Sequence, residues 1–478
     1  MKNKNIVKVS QTLIALLFLL VQSATAKVKL AAIFTDHMVL QQQSNVAIWG
    51  WARPNAKIKL VTSWNKKEYL ATAESNGKWK IKVSTPKAGG PFEITFNDGE
   101  ALKLTDILIG EVWFCGGQSN MEMPMKGFKS QPIIGSNEAI LKSANPKIRL
   151  YTVPHWSITT VQEDTKPSEW KLANPENVAG FSATAYYFGQ LLNEMLDVPI
   201  GLLHDSYGGS SIEAWMSAYD LKAFPEVKVP LPTDTIKDVV RTPTTLYNGM
   251  LHAVIGYGIR GAIWYQGESN YERSDRYEDL LPAMVANWRQ YWDNGNFPFY
   301  YVQIAPFRYN AVPKPDPKAN SAYLRDAQRK ALPKIPNAGM AVIMDIGEEK
   351  MIHPSHKKEG GTRLAYLALT QTYGLKGLVG VSPTYESITI DKDKAVVKFA
   401  NVPNGLTSFG KELSLFEIAG SDQKFYPAKA VINGSSITVT STDVKNPVAV
   451  RYAFKDFVIG DLFGNEGLPV SSFRTDNW

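Results

Sequence analysis

Residues 107–115 are nearly all apolar, and such a run reads as a strand buried on both faces. A strand of that kind belongs in a parallel sheet covered by helices on two sides, and the segments after it supply both. Ala185, Phe188, Leu192 and Met195 fall at helical spacing, and residues 198–203 read as a strand. Further strands are expected at 259–265, 299–304 and 340–346, alternating with helices at 276–292, 322–332 and 357–373. Strand alternating with helix predicts an α/β fold, a parallel sheet flanked by helices. In such folds a site lies at the carboxyl ends of the strands.

The texture differs on either side. In residues 78–83 Trp79, Ile81 and Val83 alternate with three lysines after the turn signal Asn76-Gly77, so residues 27–106 read as an N-terminal β-sandwich region. Residues 107–376 form the expected α/β domain. Residues 377–478 return to β texture, with alternation at 387–390 and 436–441 around Asn433-Gly434, and are expected to pack against the first β-region.

Residues 1–26 read as a secretory signal peptide: Lys2, Lys4 and Lys8, an apolar core at 13–21, then Ala24-Thr25-Ala26. The alternative is an uncleaved anchor, which the shortness of the apolar core disfavours. The expected location is therefore periplasmic or secreted, with no membrane span after cleavage. Cleavage removes three lysines and no acid, lowering the formal charge from +7 to +4. That mild excess, with no dense Lys/Arg groove, argues against a nucleic-acid partner. The single cysteine, Cys115, excludes an internal disulfide, so the core alone must hold the chain together.

Four segments past predicted strands carry chemistry. Gly116-Gly117-Gln118-Ser119-Asn120-Met121 follows the buried strand; its glycines permit a sharp turn that exposes Ser119 where backbone N–H groups face an oxyanion. A helix N-cap serine gives the same pattern. Residues 207–215 let the backbone of Gly208 and Gly209 approach a ligand, or form an ordinary strand-to-helix turn. In residues 264–270 a side-chain amide is placed to donate to an oxyanion, or the segment is a polar turn on Gly267. Of six histidines, His353 stands in a late loop after a strand and is the first candidate for a base, with His204 the second. His353 and His356 as a metal pair lack a completing ligand set. All four follow predicted strands, so one sheet would bring them to one edge, and that convergence supports an active site more strongly than any single motif does.

The segments 117–121, 208–215, 264–270 and 352–354 together resemble sialate O-acetylesterase-like proteins of the SGNH or GDSL hydrolase superfamily, which includes acetylxylan esterases. Residues 246–250, Trp288-Arg289 and Pro298-Phe299 are also similar, and the resemblance spans essentially the whole chain after residue 26. It implies a serine esterase that removes acetyl groups from carbohydrates and needs no metal or organic cofactor. Ser119 would be the nucleophile and His353 the base. The oxyanion would be held by the Ser119 N–H, an N–H of Gly208 or Gly209, and an amide of Gln266 or Asn270, with Gln266 preferred as nearer the strand end. Hydrolases of this superfamily often carry an aspartate three residues before the histidine. Here that position is Lys350, so Glu349, Glu348 or Asp345 is expected to orient the ring, or a backbone carbonyl in a Ser-His dyad. The missing acid also admits a carbohydrate-binding protein without activity. A serine peptidase of the penicillin-binding type is disfavoured, because Ser119 lacks a lysine three residues on.

Overall fold

The computed structural model describes residues 28–309 and 320–478. The expected leader at 1–26 lies outside the described residues. The central element is strand β1 (Ala101–Gly117), seventeen residues long. Its first part pairs with Gly89–Asn97 and Val39–Gln41, in a sheet that also holds Lys57–Thr62 and Glu68–Thr72. A second sheet of Lys29–Leu30, Asn45–Trp51 and Lys78–Ser84 covers it. Trp79, Ile81 and Val83 face inward and Lys80 and Lys82 outward, with the Trp79 and Phe96 rings 6.0 Å apart across the gap. At Asp106 the strand takes φ 52°, a conformation aspartate tolerates better than most residues. Its carboxylate pairs there with Arg149 and His37, each at 2.7 Å.

Beyond that bend β1 enters the central sheet with β2 (Asn145–Thr152), β3 (Lys171–Ala173), β4 (Ile200–Ser206), β5 (Gly261–Tyr265), β6 (Phe299–Val302) and β7 (Ala338–Ala341), in the order β3-β2-β4-β1-β5-β6-β7. The pairings are parallel except that β3 runs antiparallel to β2. Helices follow the strands: α1 (Ser119–Glu122), α2 (Ala183–Leu196), α3 (Ser274–Trp292), α4 (Ser321–Ala331) and α5 (Lys357–Leu367). Side chains alternate between two cores. Trp113, Cys115, Ile263 and Tyr265 point to the side of α2 and α5; Val112, Phe114, Ala262 and Trp264 point to that of α3 and α4. This two-sided burial is why residues 107–115 lack polar alternation. Trp113, Trp264 and Trp288 are among the largest fully buried side chains, and truncating any one to alanine costs about 3–5 kcal/mol.

The strand expected at 340–346 leaves the ladder at Ala341. The carbonyls of Val342 and Met344 are taken instead by the Arg363 guanidinium and the Gly460 N–H. The helix expected to reach 373 ends as α5 at Leu367 and continues as one π-turn, Ala368–Thr372. The C-terminal region contains two four-stranded antiparallel sheets and a two-stranded pair. The sequence reading sets it beside the N-terminal region; the structure seats it on α4. The buried Arg325 guanidinium donates to Ser472 Oγ and the Lys455 carbonyl, and Gln303 Nε2 donates to Ser471 Oγ at 2.7 Å. No helix among the described residues is long and apolar enough to cross a membrane.

Candidate active site

Three parallel strands end side by side. Gly117 on β1 is opposite Ser206 on β4 and Tyr265 on β5. Gly117 takes φ 148°, and a Cβ there would lie 2.2 Å from the Tyr265 carbonyl oxygen, so no other residue fits the turn. The loops stitch to one another: Gln118 N–H donates to Tyr265 O at 2.9 Å, and Tyr207 N–H donates to Gly117 O at 3.1 Å. The Gln118 side-chain oxygen accepts from the N–H groups of Gly267 and Ser269 at 3.2 and 3.3 Å. Half-buried Ser119 opens the short α1 at this rim. Gly208 packs directly against it, since a Cβ on Gly208 would stand 3.4 Å from Ser119 Cβ.

The fourth segment arrives from β7. Asn120, next to Ser119, donates through Nδ2 to the carbonyl of Ile352, next to His353, at 3.1 Å. The His353 ring packs edge-on against Phe128 at 5.2 Å, and its Nδ1 lies 2.5 Å from Gln131 Oε1. Burial and the nearby Lys357 cation pull the imidazole down to about 4, so the ring is neutral at pH 7. A carbonyl oxygen can only accept, so Nδ1 carries the proton and Nε2 keeps its lone pair.

The acids expected to orient this ring are engaged elsewhere, and that expectation is corrected. Asp345 holds Arg363 through both carboxylate oxygens at 2.7 Å. Glu349 accepts from Arg308 at 2.8 Å. Glu348 accepts from Ser355 N and Oγ at 2.8 and 2.6 Å, bracing the histidine loop rather than the ring. The orienting group is the Gln131 amide, in a loop that carries no motif in the sequence.

Beneath the rim lies a buried polar cluster. Asn120 also donates to Glu268 Oε1 and accepts from Lys357 Nζ, each at 2.5 Å. Burial raises the Glu268 carboxyl and pulls the Lys357 ammonium down to about 7, against the pull of Glu268 and Glu348. The fully buried Asn120 thus joins the Ser119 turn, the 264–270 loop, the histidine loop and α5.

The groups expected around an oxyanion are placed as follows. Gly208 lies at Ser119, and its N–H donates to the Glu122 carboxylate, whose other oxygen is 3.3 Å from His155 Nε2. Gly209 takes φ 79°, and its carbonyl accepts from Ser269 Oγ at 2.8 Å. Gln266 is fully buried and donates both amide hydrogens inward, to Ser210 O at 3.0 Å and Asn270 Oδ1 at 2.8 Å. It therefore has none left for an oxyanion, and the preference for it is corrected. Asn270 accepts from Ile212 N–H at 3.0 Å and donates to Glu213 at 3.0 Å, which makes it a tie between two loops.

His204, the second candidate base, is buried beside Ser206 Oγ at 2.6 Å, and burial brings it down to about 3. His356 pairs with Glu359 at 3.0 Å. The sequence reading missed Gln131, Lys357, Glu122 and His155. The His155 ring stacks on Tyr207 at 3.8 Å, 8° from parallel, beside the Ser119 turn. Of these, only Glu122 and Lys357 sit within a few residues of a recognised segment, the one signal available.

Comparison with known proteins agrees with this architecture. Residues 109–369 match the model of a family described as carbohydrate esterase, sialic acid-specific acetylesterase. The chain is 29% identical over 471 residues to the sialate O-acetylesterase of Pongo abelii, covering 91% of this chain and 88% of that one. It is 30% identical over 431 residues to the Mus musculus enzyme of the same name, covering 77% and 78%. A solved structure of a carbohydrate acetylesterase from Xanthomonas citri superposes with a TM-score of 0.86 at 34% identity, over 95% of this chain and all of that one. On this shared sequence and fold, the chain is a carboxylic ester hydrolase and belongs to the carbohydrate esterase family of sialic acid-specific acetylesterases.

Proposed function

We propose that the protein removes O-acetyl groups from sialic acids, with Ser119 as nucleophile and His353 as general base. The observation that carries the reading is the Asn120–Ile352 hydrogen bond, which ties the immediate neighbours of Ser119 and His353 together. Gln131 adds the tautomer a base needs. In this mechanism His353 Nε2 takes the Ser119 proton as Oγ attacks the acetyl carbonyl. The tetrahedral oxyanion is held by backbone N–H groups of Ser119 and Gly208, with Glu122 giving up the Gly208 N–H as the substrate enters. The imidazolium then protonates the departing sugar oxygen, and water, activated by the same ring, releases acetate.

The test is acetate release by the full chain and by Ser119→Ala, on O-acetylated sialic acid and on acetylated xylan. The reading expects hydrolysis of the sialate ester, abolished in the variant. Release from xylan alone would move the substrate to the acetylxylan class. Equal release by wild type and variant would remove Ser119 from the chemistry, and no release by either would leave a binding protein.

Residues 107–376 are the catalytic unit in this reading, with 27–106 and 377–478 as its β flanks. The charge and apolar pattern of residues 1–26 supports export. Mass spectrometry of the protein recovered outside the cytoplasm tests it, with a new terminus at Lys27 expected.

A further inference from the structure

Sialic acids differ from neutral acetylated sugars by a carboxylate, which an enzyme selective for them has reason to recognise. A cavity of about 580 Å³, reaching the 208–211 turn through Arg241, is lined by four cations, Arg241, Arg273, Arg276 and Lys228, and by three acids, Glu213, Glu226 and Asp275. Two of these cations are already neutralised. Arg273 pairs with buried Glu213 at 3.1 Å, and Arg276 pairs with Glu226 at 2.5 Å. Arg241 has no ion-pair partner among the described residues.

Arg241 is also held in place. The Asp238 carboxylate accepts from the N–H groups of Val240 and Arg241 at 3.1 and 3.0 Å, which shapes the turn presenting it. Its carbonyl accepts from Ser211 Oγ at 3.3 Å, and its Nε donates to the Gly209 carbonyl at 3.4 Å. Gly209 adjoins Gly208, the residue packed on Ser119. The guanidinium is therefore fastened by Nε to the turn that borders the nucleophile, and no hydrogen bond among the described residues occupies its outer nitrogens. A planar cation with two parallel N–H donors matches a carboxylate bidentately, which an ammonium cannot do.

We propose that Arg241 recognises the carboxylate of the O-acetylated sialic acid, and that the cavity beside the 208–211 turn receives the acidic end of the sugar while its acetyl group reaches Ser119. The inference rests on the sialate reading above and adds the residue that sets the substrate class.

The experiment compares O-acetylated sialic acid with its carboxyl methyl ester, which keeps the acetyl group and loses the charge. Substrates are offered to wild type, Arg241→Ala and Arg241→Lys. Wild type is expected to favour the free acid by about tenfold or more in kcat/KM, the scale of a hydrogen-bonded charge pair, with the difference mainly in KM. Arg241→Ala is expected to lose that preference, and Arg241→Lys to keep part of it. Equal wild-type kcat/KM on acid and methyl ester overturns the proposal while leaving sialate hydrolysis intact. Retention of the full preference by Arg241→Ala overturns it as well. Failure of wild type to hydrolyse either form, with acetylated xylan turned over, overturns the sialate reading itself.

Discussion

His353 Nδ1 meets the side-chain oxygen of Gln131, 222 residues earlier in the chain, at 2.5 Å. A neutral amide fixes the ring's tautomer as a carboxylate would, but it stabilises the imidazolium less. Gln131→Glu is therefore expected to raise the His353 pKa by about 1–3 units, shifting the acid limb of kcat/KM to higher pH by the same amount. Gln131→Ala, which frees the ring to rotate, is expected to lower kcat with little change in KM. A Gln131→Glu profile superimposable on wild type counts against the contact.

In the proposed mechanism the same ring sets the pH range. Burial first, and the Lys357 cation second, depress His353 to about 4. The neutral imidazole is the working form, so activity is expected to persist as pH falls through 6 and 5 and to be lost near 4. A freely exposed histidine would lose it near ~6.5. Lys357→Met removes the second cause and should move the midpoint upward. His353→Ala should cost about 10²–10⁴-fold in kcat, the range for a general base. A wild-type midpoint near 6.5 is the result that contradicts this account.

Much of the site was legible because it is local. Each of the three segments at Ser119, Gly208 and Gln266 follows a short apolar run that reads as a strand, and parallel strands bring their carboxyl ends to one rim. Contacts between distant segments were not legible. Nothing in the sequence around Gln131 separates it from any other polar loop residue. Glu349 and Asp345 stood close to His353 in sequence, yet each was nearer in space to an arginine, Arg308 and Arg363. Gln266 and Asn270 had the right chemistry for an oxyanion, and the fold uses their amides to fasten loops. The C-terminal sheets read correctly as β, but their seat on α4 depends on a buried Arg325 whose partners in the C-terminal region lie 130 or more residues away.

Asn120 touches Glu268, Lys357 and the Ile352 carbonyl within 3.1 Å, so in the proposed mechanism it positions Ser119 and His353 from beneath the rim. Asn120→Ala leaves a buried carboxyl and a buried amine without their shared partner, a cost of about 1–3 kcal/mol. It is expected to lower kcat at least tenfold, roughly the effect of loosening a positioned base, with KM little changed. Asn120→Asp should restore the contact to Lys357 but not the donation to Ile352, and so should recover stability more than rate. Denaturant melts read beside steady-state kinetics separate the two. If rate and stability return together, the positioning role is wrong.

Asp205 lies one residue from the end of β4, fully buried, with both carboxylate oxygens unpartnered among the described residues. Burial pushes its carboxyl well above the ordinary range, because an unpaired charge there would lose its hydration without compensation. The folded state therefore keeps a proton that the unfolded chain releases near ~3.9. Between that value and the folded pKa the native protein binds more protons than the unfolded one, so this group's contribution falls by about 1.4 kcal/mol per pH unit as pH rises. Asp205→Asn removes the titration while keeping the shape. It is expected to gain Tm over wild type at pH 8 and to gain far less at pH 5, as calorimetry at the two values would show. Parallel loss of Tm in both proteins between pH 5 and 8 would mean that Asp205 finds a partner in solution, and that the burial argued for β4 is incomplete at its end.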